Sequence, residues 1–302
     1  FTSYFTGDSE MFVVDFPSGE SSPEIGITYG LCNPMNGIFS PDGNALLVAA
    51  TERGGDPCGP TDRNPLEVYW LDLTQPGEKE LVTQNTGVPD EDPQFSPDGS
   101  LVLLKHGDHI VEWVPGSAPV GSCASPTAGT YCYDASAGEQ SKPVITADGR
   151  ICYFEGSDAA ADIYCFDRTS GKTGALLTDI RLGVVVRVDV FDGRPAILGD
   201  YMYFQRWRSA TNKVTYIARK PLDDLTGVEE GADFCTDEGS SYRDPASIGG
   251  SALVFSGNLA GKGGADLFVA RFDNESIASL DRWAPGVNTS KQELGASFWF
   301  AP

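Results

Sequence analysis

The pentapeptide Phe39-Ser40-Pro41-Asp42-Gly43 recurs unchanged at residues 95–99, and each copy is followed by a strand-like run, NALLVAA after the first and SLVLLK after the second. The Asp-Gly step predicts a tight turn, because glycine adopts positive φ without steric cost and aspartate bonds to its own backbone. The alternating apolar residues on either side predict β-strands. The pentapeptide therefore marks a turn between two antiparallel strands.

Three weaker copies of this pentapeptide occur further along the chain. They are Ile145-Thr146-Ala147-Asp148-Gly149, Val190-Phe191-Asp192-Gly193 and Ser247-Ile248-Gly249-Gly250. The last glycines of the five copies are 56, 50, 44 and 57 residues apart. Each copy is followed, after its own strand, by a second run rich in β-branched and aromatic residues: LEVYWLDL, HIVEWV, DIYCFD, VTYIARK and DLFVARFD. Repetition at this interval predicts one small antiparallel sheet per unit.

A sixth unit is predicted from the two ends of the chain. The C-terminal ASFWFAP supplies one strand, and the N-terminal FTSYFTG, EMFVVDF and EIGITYG supply three more. Pairing the termini in this way removes the exposed edges of an open array. The sequence thus predicts an all-β, six-bladed β-propeller of four-stranded antiparallel blades, a single domain over residues 1–302 whose ring is closed by the N- and C-terminal strands.

The FSPDG repeats resemble the WD40-like repeat of TolB-type β-propellers, and the resemblance extends over the whole chain. It implies the same fold. It implies little about activity, because propellers of this kind serve as protein-binding platforms, lectins, lyases and domains of peptidases.

The charge balance excludes several classes of partner. The chain has 21 Lys and Arg against 43 Asp and Glu, a formal net charge of −22. Nucleic acid and anionic membrane surfaces require a basic face, so neither is expected to bind. A run of about 18 apolar residues, which a membrane-spanning helix needs, does not occur.

The seven cysteines predict disulfides rather than a zinc site, since they form no CxxC pair and the chain has two histidines. Cys152 and Cys165 lie in two runs of one predicted hairpin, and Cys123 and Cys132 lie at the ends of a short loop, so each pair is a predicted disulfide. A disulfide between Cys32 and Cys58 is then plausible by elimination. Cys235 is left over, either as a buried thiol or as the link of a homodimer.

Two N-x-S/T sequons, at Asn274 and Asn288, are predicted glycosylation sites. Together with the disulfides and a chain that begins at Phe1 rather than at methionine, they predict a protein of the secretory pathway.

The residues that begin the innermost strand of each unit are predicted to meet in the central channel. Lys142, Arg187 and Arg243 are predicted catalytic cations, and a neighbouring Lys291 or Gln292 is expected at the last unit. The predicted substrate-binding residues around them are Asn36, Asp92, Gln94, Asp189, Asp244 and Trp207. Such a ring either binds a ligand or joins neighbouring blades through ion pairs.

His106 and His109 lie at one turn, where a general base and solvated loop positions are both open interpretations. Two histidines are too few for a three-histidine metal site, no G-x-S-x-G motif occurs, and the acidic loops lack calcium-binding spacing. We therefore expect neither a metal nor a cofactor.

Three functions are open on these grounds. Size, architecture and compartment are similar to the fungal hetero-Diels–Alderases of tropolone–sesquiterpenoid biosynthesis. That resemblance implies a small-molecule pocket in which cations polarise a tropolone oxygen and the site orients the diene and dienophile. The alternatives are a carbohydrate-active propeller, either a polysaccharide lyase or a lectin, and a non-enzymatic platform that binds another protein.

Overall fold

Antiparallel pairing of consecutive strands organises the chain in the computed structural model. The structure describes residues 2–5, 8–13, 25–26, 30–52, 65–75, 77–84, 87–133, 138–156, 162–168, 191–207, 215–223, 241–247, 251–258, 265–273, 276–282 and 292–294. Among these residues no helix is long and apolar enough to cross a membrane.

The strands group into six sheets. The first three strands form the end sheet with the last one: β1 (Thr2–Phe5), β2 (Asp8–Val13), β3 (Ile25–Gly26) and β22 (Gln292–Leu294). Blade 1 contains β4 (Leu31–Phe39), β5 (Ala45–Glu52), β6 (Glu67–Asp72) and β7 (Lys79–Leu81). Blade 2 contains β8 (Asp90–Phe95), β9 (Val102–His106), β10 (His109–Trp113) and β11 (Thr130–Tyr133). Blade 3 contains β12 (Gln140–Ile145), β13 (Arg150–Glu155) and β14 (Asp162–Asp167). Blade 4 contains β15 (Phe191–Leu198), β16 (Tyr201–Trp207) and β17 (Thr215–Pro221). Blade 5 contains β18 (Ser241–Ser247), β19 (Ala252–Asn258), β20 (Asp266–Asp273) and β21 (Ser276–Arg282).

This arrangement is an all-β propeller of small antiparallel sheets. The first strands of consecutive blades contact one another, which places them around a common axis. Among the described residues we count five blades rather than the predicted six, and of the outer strands of the end sheet, β3 and β22, the structure describes two and three residues. In the end sheet β1 pairs with β22, with Thr2 opposite Leu294. The sixth blade and full closure of the ring stay predictions.

The apolar core lies between neighbouring blades rather than inside any one of them. Leu47 and Val68 of blade 1 pack against Val102 and Trp113 of blade 2, all of them buried. Equivalent clusters join blades 2 and 3, blades 3 and 4, and blades 4 and 5. Blades 2 to 4 are apolar on both faces because a neighbouring blade covers each face, and this burial is the dominant favourable term in folding.

The turns of the pentapeptide have the predicted geometry in blades 1 to 3. Gly43, Gly99 and Gly149 have φ of 73°, 70° and 86°. In the second copy Ser96 Oγ donates a hydrogen bond of 2.6 Å to Asp98. This bond and those from Ser100 lower the pKa of Asp98 to about 2. The turn aspartate therefore stays ionised and bonds the backbone that follows it.

The predicted turn of blade 4 is wrong by six residues. Asp192 and Gly193 lie inside the first strand, β15, and the turn to β16 is formed by Gly199 and Asp200, with Gly199 at φ 58°. The Asp-Gly pair was misleading because the true turn has the reverse order, Gly-Asp, whose glycine supplies the same positive φ.

Two predicted disulfides are confirmed. Cys152 and Cys165 are directly opposite each other on β13 and β14, with Cα atoms 4.0 Å apart. Cys123 and Cys132 are bonded with Cα atoms 5.5 Å apart. Cys32 is disulfide-bonded as well, but Cys58, its predicted partner, lies outside the described residues, as do Cys235, Asn274 and Asn288. Disulfides fit an extracellular or periplasmic protein.

Replacing Gly257 by alanine is expected to lower the free energy of unfolding by about 1 to 3 kcal/mol, the usual cost of overpacking a core. A Cβ at this position would lie 2.7 Å from ring atoms of both Phe268 and Tyr242, and both rings are buried. Urea unfolding measures the change. Ser251→Ala, at an exposed position of the same hairpin, is the control, and an equal effect of the two substitutions would contradict the packing argument.

Candidate functional site

The first strand of every blade is interrupted at an equivalent position. Two residues of the first strand are opposite a single residue of the second strand there, which is a β-bulge. In blades 2 to 5 the second bulge residue is proline, which has no N–H to donate to the ladder. Blade 1 has glycine instead. The five dipeptides are Asn36-Gly37, Asp92-Pro93, Lys142-Pro143, Arg194-Pro195 and Asp244-Pro245.

The first residue of each bulge has an unusual backbone conformation. All five have φ between 50° and 55°, in the left-handed region. Asparagine and aspartate tolerate this region better than other residues, whereas lysine and arginine seldom adopt it. Each such residue costs about 1 to 3 kcal/mol, and residues held in this way concentrate at functional sites. We call the five side chains the ring.

The ring surrounds a cavity of about 350 Å³ at the end of the channel where the first strands finish. Its polar lining comes from the ring and from Gln94. Its apolar lining comes from the four bulge prolines and from side chains between the bulge and the following turn, among them Ile38, Phe95, Val144, Ile145 and Ile197. The cavity thus has a band of polar side chains within an otherwise apolar lining, a composition typical of small-molecule sites.

Asp92 is the central acceptor on one side of the ring. It is buried, and its Oδ1 accepts a hydrogen bond of 2.6 Å from Asn36 Nδ2. The same oxygen is bonded by Lys142 Nζ, and the other carboxylate oxygen accepts the backbone N–H of Lys142 at 3.2 Å. These bonds connect blades 1, 2 and 3 at the channel.

Arg194 and Asp244 form the corresponding ion pair on the other side, between blades 4 and 5. The backbone N–H of Asp244 donates to Gln205 Oε1 at 3.3 Å, which holds the bulge against the second strand of blade 4. The two cations of the ring therefore lie on adjacent blades, 3 and 4, with one carboxylate on each flank. The side chains of Lys142 and Arg194 remain 26% and 39% exposed.

Five predicted site residues are brought together here: Asn36, Asp92, Gln94, Lys142 and Asp244. Arg243 is not among the residues that line the cavity, because it precedes the bulge and is opposite Ser256 in the ladder. Arg187, Asp189 and Lys291 lie outside the described residues, and of Trp207 and Gln292 only the backbone is described. The inter-blade ion pairs considered from the sequence are present in the same ring.

Arg194 lines the cavity but is not among the residues predicted from the sequence. Aligning the units on Asp-Gly placed Arg187 at the channel, because the turn of blade 4 was displaced. A better signal exists in the sequence: the prolines of the bulges, Pro93, Pro143, Pro195 and Pro245, are spaced by 50, 52 and 50 residues. Each is preceded by a charged residue, and this recurrence identifies Arg194 directly.

His106 is not a solvated loop residue. It is buried in β9, and its Nδ1 lies 2.5 Å from Asp90 Oδ1. Neither His106 nor His109 is among the residues lining the cavity. Within the described ranges, no group of three His, Cys, Asp or Glu side chains has the geometry of a metal site.

Comparison with known proteins identifies the fold. A TolB-type protein of Agrobacterium tumefaciens is 18% identical, with a TM-score of 0.58 over 83% of this chain and 80% of that one. The β-propeller domain of the Trilobed protease from Pyrococcus furiosus, described as having an open velcro topology, is 11% identical, with a TM-score of 0.53 over 93% and 91%. A puromycin-hydrolysing peptidase of Mycobacterium tuberculosis is 10% identical, with a TM-score of 0.54 over 94% of this chain and 44% of that one. No protein-family model and no curated protein sequence matches.

These likenesses define the class of the chain, a β-propeller with TolB and peptidase propeller domains as structural neighbours. At these identities they extend to the fold alone.

Proposed function

We propose that the chain binds a small organic molecule in the ring cavity, through an oxygen of the ligand that accepts hydrogen bonds from Lys142 and Arg194. The observation that carries the proposal is the ring itself. Five blades each hold one polar residue in a costly backbone conformation at the same level of the channel. Ion pairs alone do not require that conformation, because blades can be joined through ordinary strand residues.

The dimensions of the cavity favour a compact ligand. Pockets for small molecules have volumes of about 300 to 1,000 Å³, and this cavity of about 350 Å³ is at the lower end. All five blades contribute to its lining, so it is confined to the channel rather than extended over the surface. This shape supports a small molecule over a polysaccharide chain, which needs a long groove.

The cavity provides hydrogen-bond donors to a ligand in an apolar environment. Lys142 and Arg194 are held by Asp92 and Asp244, so their positions do not have to be reorganised when a ligand binds. Donors held in place in this way stabilise negative charge that develops on a carbonyl or phenolate oxygen. The hetero-Diels–Alder reaction is a special case of this proposal. It requires both reaction partners to enter the one cavity.

Screening a library of small molecules by ligand-observed NMR tests this function. We expect the compounds that bind to carry an acceptor oxygen. We expect Lys142→Met and Arg194→Met each to lower the binding affinity of these compounds about tenfold or more, in line with the loss of a charge-assisted hydrogen bond. Lys79→Met is the control, since Lys79 pairs with the exposed Glu52 on the outside of blade 1. Binding that is equal in all four proteins would contradict the proposal.

We also propose that six blades form a closed propeller. The pairing of β1 with β22 supports it, as does the packing of the buried Met11 of β2 in one cluster with Leu31 and Leu46 of blade 1. Secretion, glycosylation at Asn274 and Asn288, and a homodimer linked through Cys235 also remain proposals. A non-reducing gel tests the dimer, and mass spectrometry of the intact protein tests glycosylation.

A further inference from the structure

A second polar cluster lies between blades 1 and 2, outside the ring cavity. Glu67 of β6 and Asp90 of β8 are carboxylates that are 5% and 0% exposed. Thr83, after β7, donates its hydroxyl to Glu67 Oε2 at 2.7 Å, and its Oγ1 accepts the backbone N–H of Val68. His106 of β9 approaches Asp90 Oδ1 at 2.5 Å. The cluster is therefore built from four different segments of the chain.

Among the described residues, two buried oxygens of this cluster have no hydrogen-bond partner, Glu67 Oε1 and Asp90 Oδ2. Each carboxyl group thus uses one oxygen and leaves the other unsatisfied, although both groups are buried. An unsatisfied buried acceptor is costly, and two buried carboxylates side by side repel each other. A single proton placed between the two groups removes both problems, because it converts one acceptor into a donor for the other.

We propose that Glu67 retains this proton and donates it to Asp90, so that Glu67, Asp90 and His106 form a proton-dependent latch between blades 1 and 2. The latch is independent of the proposed ligand. Its chain of contacts runs from Thr83 through Glu67 and Asp90 to His106. When Glu67 loses its proton, two carboxylates face each other at a buried interface, and the contact between the blades weakens.

The electrostatic setting agrees with this assignment. Burial is the main cause that raises the pKa of Glu67, to about 8; the hydrogen bond from Thr83 acts in the opposite direction, and the neighbouring Asp90 adds to the increase. In the described ranges, the titratable groups that face the pair are Tyr69 on β6 and His106 on β9. Burial, followed by Glu52 and Glu67, raises the pKa of Tyr69 to about 12. In the described part of the chain no lysine or arginine forms an ion pair with Glu67 or Asp90.

The latch predicts a specific dependence of stability on pH. The pKa of Glu67 is raised from 4.5 in the unfolded chain to about 8 in the folded protein. The folded state therefore binds one proton more than the unfolded state between these values, and stability falls as pH rises through that window. The contribution of Glu67 is complete below pH 4.5 and has been lost above pH 8.

Urea unfolding of the full chain between pH 5 and pH 8, with disulfides oxidised, tests the proposal through Glu67→Gln. Glutamine keeps a donor at this position but cannot ionise. We expect the unfolding constant of the unaltered protein to rise relative to that of the variant by up to about tenfold per pH unit. Glu80→Gln, on an exposed position of β7, should follow the unaltered protein. Parallel pH profiles for the unaltered protein and Glu67→Gln would overturn the proposal.

A second measurement decides the matter if Glu67→Gln does not fold. Carbon-13 NMR of the side-chain carboxyl groups in the unaltered protein should show one glutamate that titrates far above the others, near pH 8. In the same range the hydrogen-exchange protection of the Asp90 amide, which donates to Leu66 O at 2.7 Å, should fall. Absence of any glutamate that titrates above pH 6 would refute the latch.

Discussion

Asp92→Ala is expected to lower the free energy of unfolding by about 3 to 5 kcal/mol, the usual cost of breaking a buried ion pair from one side. Asp92 accepts bonds from Asn36, from the side chain of Lys142 and from the backbone of Lys142. Its removal leaves these three donors without their acceptor at the channel. Alanine at φ 55° adds strain that aspartate tolerates.

The same substitution should also abolish ligand binding in the ring cavity, because Lys142 then has nothing to hold its position. Urea unfolding and ligand-observed NMR measure the two effects. Asp108→Ala, at an exposed turn of the same blade, should change stability by less than about 0.5 kcal/mol. A loss below about 1 kcal/mol for Asp92→Ala would contradict the structural role of the ring, since breaking a buried pair costs more than that.

Glu112→Ala is expected to have a comparable effect on stability, about 3 to 5 kcal/mol, for the same reason. Glu112 is buried on β10 and accepts two bonds from Arg168, one of 2.6 Å from Nε and one of 2.7 Å from Nη2. It also accepts the hydroxyl of Tyr133 at 2.8 Å. Burial is the main cause that raises the pKa of Tyr133, and the charge of Glu112 adds to it.

This bidentate pair joins blade 2 to the end of the last described strand of blade 3. None of its members is among the residues lining the cavity, so we expect Glu112→Ala to leave ligand binding intact in the folded fraction. The control is Asp281→Ala, which removes an exposed pair with Arg271 at 3.5 Å and should cost less than about 1 kcal/mol. If both substitutions cost the same, the pair with Arg168 does not hold the blades together.

Local patterns in the sequence predict the propeller fold and two disulfides, but not the number of blades. Residues 39–43 and 95–99 place turns correctly because Asp-Gly geometry is determined within a few residues. Cys152 and Cys165 were predictable for a similar reason, since a hairpin brings its two strands together. The turn of blade 4 was predicted at the wrong position, because the order of its turn residues is reversed, at Gly199 and Asp200.

The candidate site was only partly predictable. Lys142 and Asp92 could be recognised from their positions in the repeat, whereas Arg194 required the recurring proline of the bulges. Glu67, Asp90 and His106 show no pattern in the sequence, because strand pairing and blade packing bring together residues from separate segments. The same is true of Glu112 and Arg168, which are 56 residues apart. Contacts of this kind depend on packing between blades, which no local motif encodes.

A crystallographic screen of small-molecule fragments tests whether the ring is a ligand site. We expect fragments to collect in the ring cavity, with an acceptor oxygen within hydrogen-bond distance of Lys142 Nζ or the Arg194 guanidinium, and we expect the five bulges to keep their positive φ. Fragments that bind elsewhere on the surface while the ring cavity holds none would contradict it.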